Sequence, residues 1–216
     1  MRPLTWTVLA GVTGLLSSGV FSSLLQLGRP WFVLAHAVVV LGFVTAYCRS
    51  AGINALRQVQ RRWLSGMLGG LGFGIILVRG VLRQPGSPAP GDGELAVALV
   101  WLGLVYGLAD ALLLNVVPVL SVYGSRGSEL HRDFAHRLRW GLAAVGGSLF
   151  VTALYHLGFA EYRGPVLVQP LIGNAIITAS YLLTGNPLAP IIAHVIMHGA
   201  AVMHGPETTF QLPPHY

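Results

Sequence analysis

His194 and His198 stand four residues apart in an apolar run. On a helix their rings share one face a turn apart, which suits joint ligation of one metal ion but also fits any two core-facing residues. The glutamate of the HExxH pattern is missing, so the pair alone is weakly specific. Asp110 lies in the run Gly107-Leu-Ala-Asp-Ala-Leu-Leu-Leu-Asn115, and His156 near the end of another apolar run. A carboxylate at the middle of a membrane span costs about 2.5–3.5 kcal/mol on insertion scales, so Asp110 is there because it is paired or because it works. Three imidazoles and one carboxylate complete a zinc-type shell, or leave one position open for a catalytic water. The plainer reading is a polar core, with Asp110 bonded to a hydroxyl, amide or arginine of a neighbouring helix.

The other histidines carry less. His131 and His136 sit among Arg132, Arg137 and Arg139 and read as solvated surface, and His215 belongs to the tail. His36 is alone near the start of its apolar run and reads as an isolated imidazole, membrane-facing or hydrogen-bonded. His204 closes the run of His194 and His198 out of helical phase with them and is an accessory candidate.

These residues must be positioned by membrane helices. Of 216 residues, 54% are hydrophobic and 9% charged, against roughly a quarter charged in a soluble domain. Runs long enough to cross a hydrocarbon core recur along the chain and predict an all-α, polytopic transmembrane helical bundle of about seven spans. They cover residues 6–27, 31–48, 64–82, 95–122, 140–159, 165–183 and 188–204. The first reads as a retained span rather than a signal peptide, being long and followed at once by another. Residues 51–63, with Arg57, Arg61 and Arg62, read as an interfacial helix, and 84–94 as a flexible loop. Gly66, Gly69, Gly70, Gly72, Gly74 and Gly80 in the third span predict close helix packing. The expected organisation is a three-span region over 1–94, a four-span core over 95–204 and a tail over 205–216.

The net charge of +6 comes from arginine alone. Nine arginines fall on the side of the amino terminus and three opposite, which predicts a cytoplasmic amino terminus and concerns topology rather than nucleic acid. Arg79, near the end of its span, can snorkel to the interface. Cys48 is the single cysteine, so no disulfide framework exists.

The order of these motifs resembles the CPBP family, the Abi or type II CAAX prenyl endopeptidase-like intramembrane metalloproteases. Thr184-Gly-Asn-Pro-Leu-Ala-Pro-Ile-Ile-Ala-His194-Val-Ile-Met-His198 is similar to that family's TGSxxAPIxAHxxxN segment, with His198 in place of Asn. Thr152-Ala-Leu-Tyr-His156 matches FxxxH with Thr152 in place of Phe. EExxxR is eroded: Asp110 and Ala111 fall on the two glutamates and Asn115 on the arginine. The resemblance spans residues 95–204 and implies a carboxylate that activates water for attack on a peptide carbonyl. Transferred residue by residue, Asp110 is the base, and His156 and His194 bind the water or a divalent metal such as Zn. His198 donates to the oxyanion or is a third ligand. The expectation is a metal-dependent endopeptidase of a bacterial cytoplasmic membrane, surrounded by the lipid bilayer and acting on a membrane-embedded peptide, with no nucleic-acid partner. The alternative is a non-proteolytic relative that binds metal or serves as a partner or assembly protein.

Overall fold

A peptide group in hydrocarbon has no water to bond, so an apolar run closes its own N–H and C=O groups as a helix. The computed structural model describes residues 3–123 and 134–213, and among these there is helix and no strand. In chain order the helices are α1 (Pro3–Ser18, continued by a π-helical stretch Gly19–Leu24), α2 (Arg29–Ala51), α3 (Ala55–Gln60) and α4 (Trp63–Val81). They continue with α5 (Asp92–Tyr123), α6 (Phe134–Leu157), α7 (Val168–Thr184) and α8 (Leu188–His204). Six are long and apolar enough to cross a membrane, and α8, with 17 residues, is a shorter apolar helix. The chain is an all-α polytopic bundle. His131, His215 and the side chain of His136 lie outside what is described.

α8 is the hub. On α4, a Cβ added to Gly66, Gly70 or Gly74 would come within 2.7–2.9 Å of Asn186, Ile192 or Ile196, so these glycines let α8 lie against the α4 backbone. Leu64, Leu68, Leu71 and Ile75 of the same helix point outward and stay exposed, as a lipid-facing stripe must. Gly72 and Gly80 have nothing within 4 Å, so packing does not explain them. On its other side α8 runs antiparallel to α5, where a Cβ on Gly103 would stand 3.3 Å from Gly199 Cα and one on Gly107 3.1 Å from Val195 Cα.

The 51–63 segment is shorter in its helical part than its periodicity predicts. Gly52, at φ 64°, ends α2 in the left-handed conformation, Asn54 caps α3 by accepting from Arg57 N, and Arg62, at φ 55°, breaks the chain before α4. No residue of α3 is buried. The turn Thr184 to Pro187 is tucked beneath this segment: Asn186 is fully buried, its Nδ2 donating to Val59 O at 2.9 Å and to Arg61 O, its Oδ1 accepting from Leu188 N. α8 therefore starts inside the bundle instead of at its edge.

Residues 84–87, part of the 84–94 stretch expected as a flexible loop, clasp the tail. Gln84 Nε2 donates to Gln211 Oε1 at 2.9 Å, Phe210 N donates to Gln84 Oε1 at 2.9 Å, and Ser87 N donates to His204 O.

Candidate metal and catalytic site

α5 is not a uniform α-helix. Leu99–Val105 and Ala111–Val116 are π-helical, and Asp110 closes the α-helical turn between them. At 3.6 residues per turn Asp110 and Asn115, five apart, would point about 140° away from each other. The wider π turn, of about 4.4 residues, reduces that to roughly 50°, and such bulges are frequent at functional sites. Both side chains consequently reach α8, where Asp110 meets His198 and Asn115 meets His194.

Oδ2 of Asp110 lies 3.7 Å from Nε2 of His198, which lies 3.4 Å from Nδ1 of His194. All three residues are buried, and one ligand atom from each falls within 4.8 Å of the others. Donors about 2.0–2.2 Å from a tetrahedral ion stand roughly 3.3–3.6 Å apart, and the two spacings at His198 are close to that, so two imidazoles and a carboxylate here could hold a divalent cation with a position left open.

The proton on His194 can be placed from its surroundings. Asn115 Nδ2 donates to Asn174 Oδ1 at 2.8 Å and to Thr178 Oγ1 at 2.9 Å. Asn174 Nδ2 in turn donates to Ser148 Oγ at 2.7 Å, whose own hydrogen goes to Leu114 O. With both amide hydrogens of Asn115 committed, its Oδ1 faces His194 Nε2 at 2.9 Å and can only accept. Nε2 therefore carries the hydrogen, and Nδ1 presents its lone pair to the cluster.

His156 stands outside this trio but lines the same cavity, of about 90 Å³. Its Nδ1 donates to Thr152 O at 2.8 Å, one turn back on α6, so the neutral ring keeps Nε2 as its acceptor. Thr152, which stands at the phenylalanine position of the FxxxH pattern, is fully buried. Gln169, Asn174 and Thr152 add polar lining, and the cavity has room for several waters.

Two elements were missed by the sequence. His36, expected as a membrane-facing or hydrogen-bonded imidazole apart from the site, is hydrogen-bonded and belongs to it: it is fully buried with Nε2 3.2 Å from Asp110 Oδ1 and Nδ1 3.2 Å from Ser17 Oγ. Only the burial cost of a lone imidazole in a span signalled a partner. The tail also belongs to the site: Phe210, Gln211, Leu212 and Pro213 form part of the cavity wall. Arg29 pins it, Nε donating to Pro213 O at 2.6 Å and Nη1 to Pro206 O at 2.7 Å. Tyr162 donates to Phe210 O, and burial raises its phenol above the usual value, with Glu161 and Asp110 adding to the rise, so it remains a donor. His204 is not in the cluster; its Nε2 donates to Gln84 O at 2.9 Å.

Residues 123–200 match a family model, Rce1-like, described as type II CAAX prenyl endopeptidase Rce1-like. The matched stretch contains His156, His194 and His198, while His36, Asp110 and Asn115 precede it. It supports the resemblance to the CAAX protease family drawn from the motifs. No curated protein and no solved structure matches the chain significantly.

Proposed function

We propose that this chain, a CAAX protease-like membrane protein by the family match over residues 123–200, is an intramembrane metal-dependent endopeptidase. The reading rests on one observation: Asp110, His194 and His198 bring ligand atoms within 4.8 Å of one another on the wall of a cavity that His156 also lines. A divalent ion held there by Asp110 Oδ2, His194 Nδ1 and His198 Nε2 would supply Lewis-acid polarisation and a more acidic water.

The chain's own groups account for the proton movements of hydrolysis. His156, whose Nε2 is the acceptor on a ring lining the cavity, takes a proton from the attacking water and returns it to the amine as the C–N bond breaks. Asn115 holds the His194 ring in the tautomer that offers Nδ1. The scissile peptide enters near the tail, where Gln169, Pro170 and Phe210 line the cavity. The family's description suggests a prenylated CAAX-type peptide as the substrate class. With the amino terminus cytoplasmic, by the arginine distribution, the tail and the adjoining end of the cavity face the opposite side. Incubation of the detergent-purified protein with a fluorescent farnesylated CAAX peptide tests the activity. Cleavage that is lost in Asp110→Ala and His156→Ala supports it, and equal cleavage by all three proteins contradicts it.

One observation favours a non-proteolytic relative. Nδ1 of His198 is buried and makes no regular hydrogen bond among the described residues, the backbone of Gln211 being its polar neighbour. Metal ligation through Nε2 would place an N–H there with only that poorly matched acceptor. A metal-free ring donating from Nε2 to the lone pair of His194 Nδ1 at 3.4 Å would leave only a bare acceptor at Nδ1, the cheaper arrangement. In that reading the cluster holds the bundle together for a partner or assembly role, and Asp110→Asn lowers thermal stability while no peptide is cleaved by either protein.

A further inference from the structure

Asp110 has two carboxylate oxygens, and they face different groups. Oδ2 faces His198 and the cavity, while Oδ1 faces Nε2 of His36 from α2. The His36 ring packs against two others: Phe32, with centroids 5.7 Å apart and planes 8° apart, and Tyr155, at 5.1 Å and 30°. Its second nitrogen, Nδ1, lies 3.2 Å from Ser17 Oγ on α1; accepting there from the hydroxyl leaves the ring hydrogen on Nε2, which donates to Asp110 Oδ1. Neither Phe32, His36 nor Ser17 lines the cavity.

We infer that His36 is a positioning residue: it fixes the carboxylate of Asp110 about its terminal torsion so that Oδ2 points at the ligand cluster. A terminal carboxylate torsion is broad when left alone, so an unanchored Asp110 samples orientations in which neither oxygen completes the set. Outer partners of metal ligands commonly act in this way, and their loss typically costs about 10- to 100-fold in affinity or activity. The assignment extends the site onto α1 and α2, outside the segment matched by the family model. It deepens the metal-site reading and rests on it.

Three variants separate orientation from packing, because a glutamine amide nitrogen reaches about where imidazole Nε2 sits and an asparagine amide reaches only the Nδ1 position. Zn²⁺ affinity and thermal midpoint are measured on purified wild type, His36→Gln, His36→Asn, His36→Leu and Asp110→Ala. The expected result is binding by His36→Gln within about threefold of wild type, and binding by His36→Asn and His36→Leu weakened by about 10- to 100-fold. The order of affinities should not follow the order of thermal midpoints. Equal affinity for His36→Gln and His36→Asn overturns the inference even where His36→Leu fails to fold. So does wild-type affinity in His36→Leu. A wild type that binds no Zn²⁺, or binds it as Asp110→Ala does, overturns the metal reading and this inference with it.

Discussion

The amide oxygen of Asn115 lies 2.9 Å from Nε2 of His194, and that contact decides which nitrogen of the ring reaches the cavity. Replacing Asn115 by Leu strips the acceptor and leaves a buried N–H unpaired, at a cost of about 1–3 kcal/mol. The expected outcome is a lower thermal midpoint together with about 10- to 100-fold weaker Zn²⁺ binding. Asn115→Asp keeps an acceptor for His194 and should retain more of the affinity than the leucine variant. Isotherms of Zn²⁺ binding for the two variants check the order.

The approach of α5 to α8 depends on Gly107, where a Cβ would stand 3.1 Å from Val195 Cα and 3.2 Å from the His198 ring. Gly107→Val should force the helices apart, with a cost of about 1–3 kcal/mol from overpacking and loss of Zn²⁺ uptake. Gly72, with nothing within 4 Å, is the control. Gly72→Ala should be neutral or stabilising by up to about 1 kcal/mol through helix propensity. Thermal unfolding in detergent compares the two.

Arg29 donates to two carbonyls of the tail, Pro206 O and Pro213 O. Hydrogen bonds from a charged donor contribute about 1.5–3 kcal/mol each. In Arg29→Gln the backbone of residues 206–213 should exchange its amide hydrogens faster by about tenfold or more, since even one lost bond of that size exceeds the 1.4 kcal/mol per decade. Unchanged exchange in this segment would mean that Gln84 and Tyr162 hold the tail without Arg29.

His204 bonds Gln84 O and stands away from the trio. His204→Ala should bind Zn²⁺ within about threefold of wild type, unlike His198→Ala, whose loss of a first ligand removes far more than the effect of an outer partner. Titration of the two variants side by side distinguishes them.

The positions of Asp110, His194 and His198 were legible because polar groups are expensive in lipid and because an i, i+4 pair shares a helix face. The span order was legible from hydropathy for the same reason. Asn115 was matched to a motif position, but its contact with His194 was hidden, since a regular 100° step turns it away from Asp110 and the π segment Ala111–Val116 brings it back. The depth at which the histidines meet α5 was hidden too, because the Thr184 to Pro187 turn looks like a surface turn, whereas Thr184, Asn186 and Pro187 are buried and Asn186 bonds the backbone of Val59 and Arg61. His36 escaped because its partner is 74 residues away and nothing in its own helix points to it. The tail escaped because a short Pro-containing stretch after the last apolar run resembles solvent-exposed chain, whereas Phe210, Gln211, Leu212 and Pro213 line the cavity and Arg29 and Gln84 bond the tail in place.

The most direct test is the metal content of the detergent-purified protein after equilibration with Zn²⁺ and removal of excess, for wild type, His194→Ala and Asp110→Ala. The site predicts close to one ion per chain in the wild type and almost none in either variant, with all three proteins folded. Equal content in the three, or none in the wild type, would contradict a metal centre at Asp110, His194 and His198.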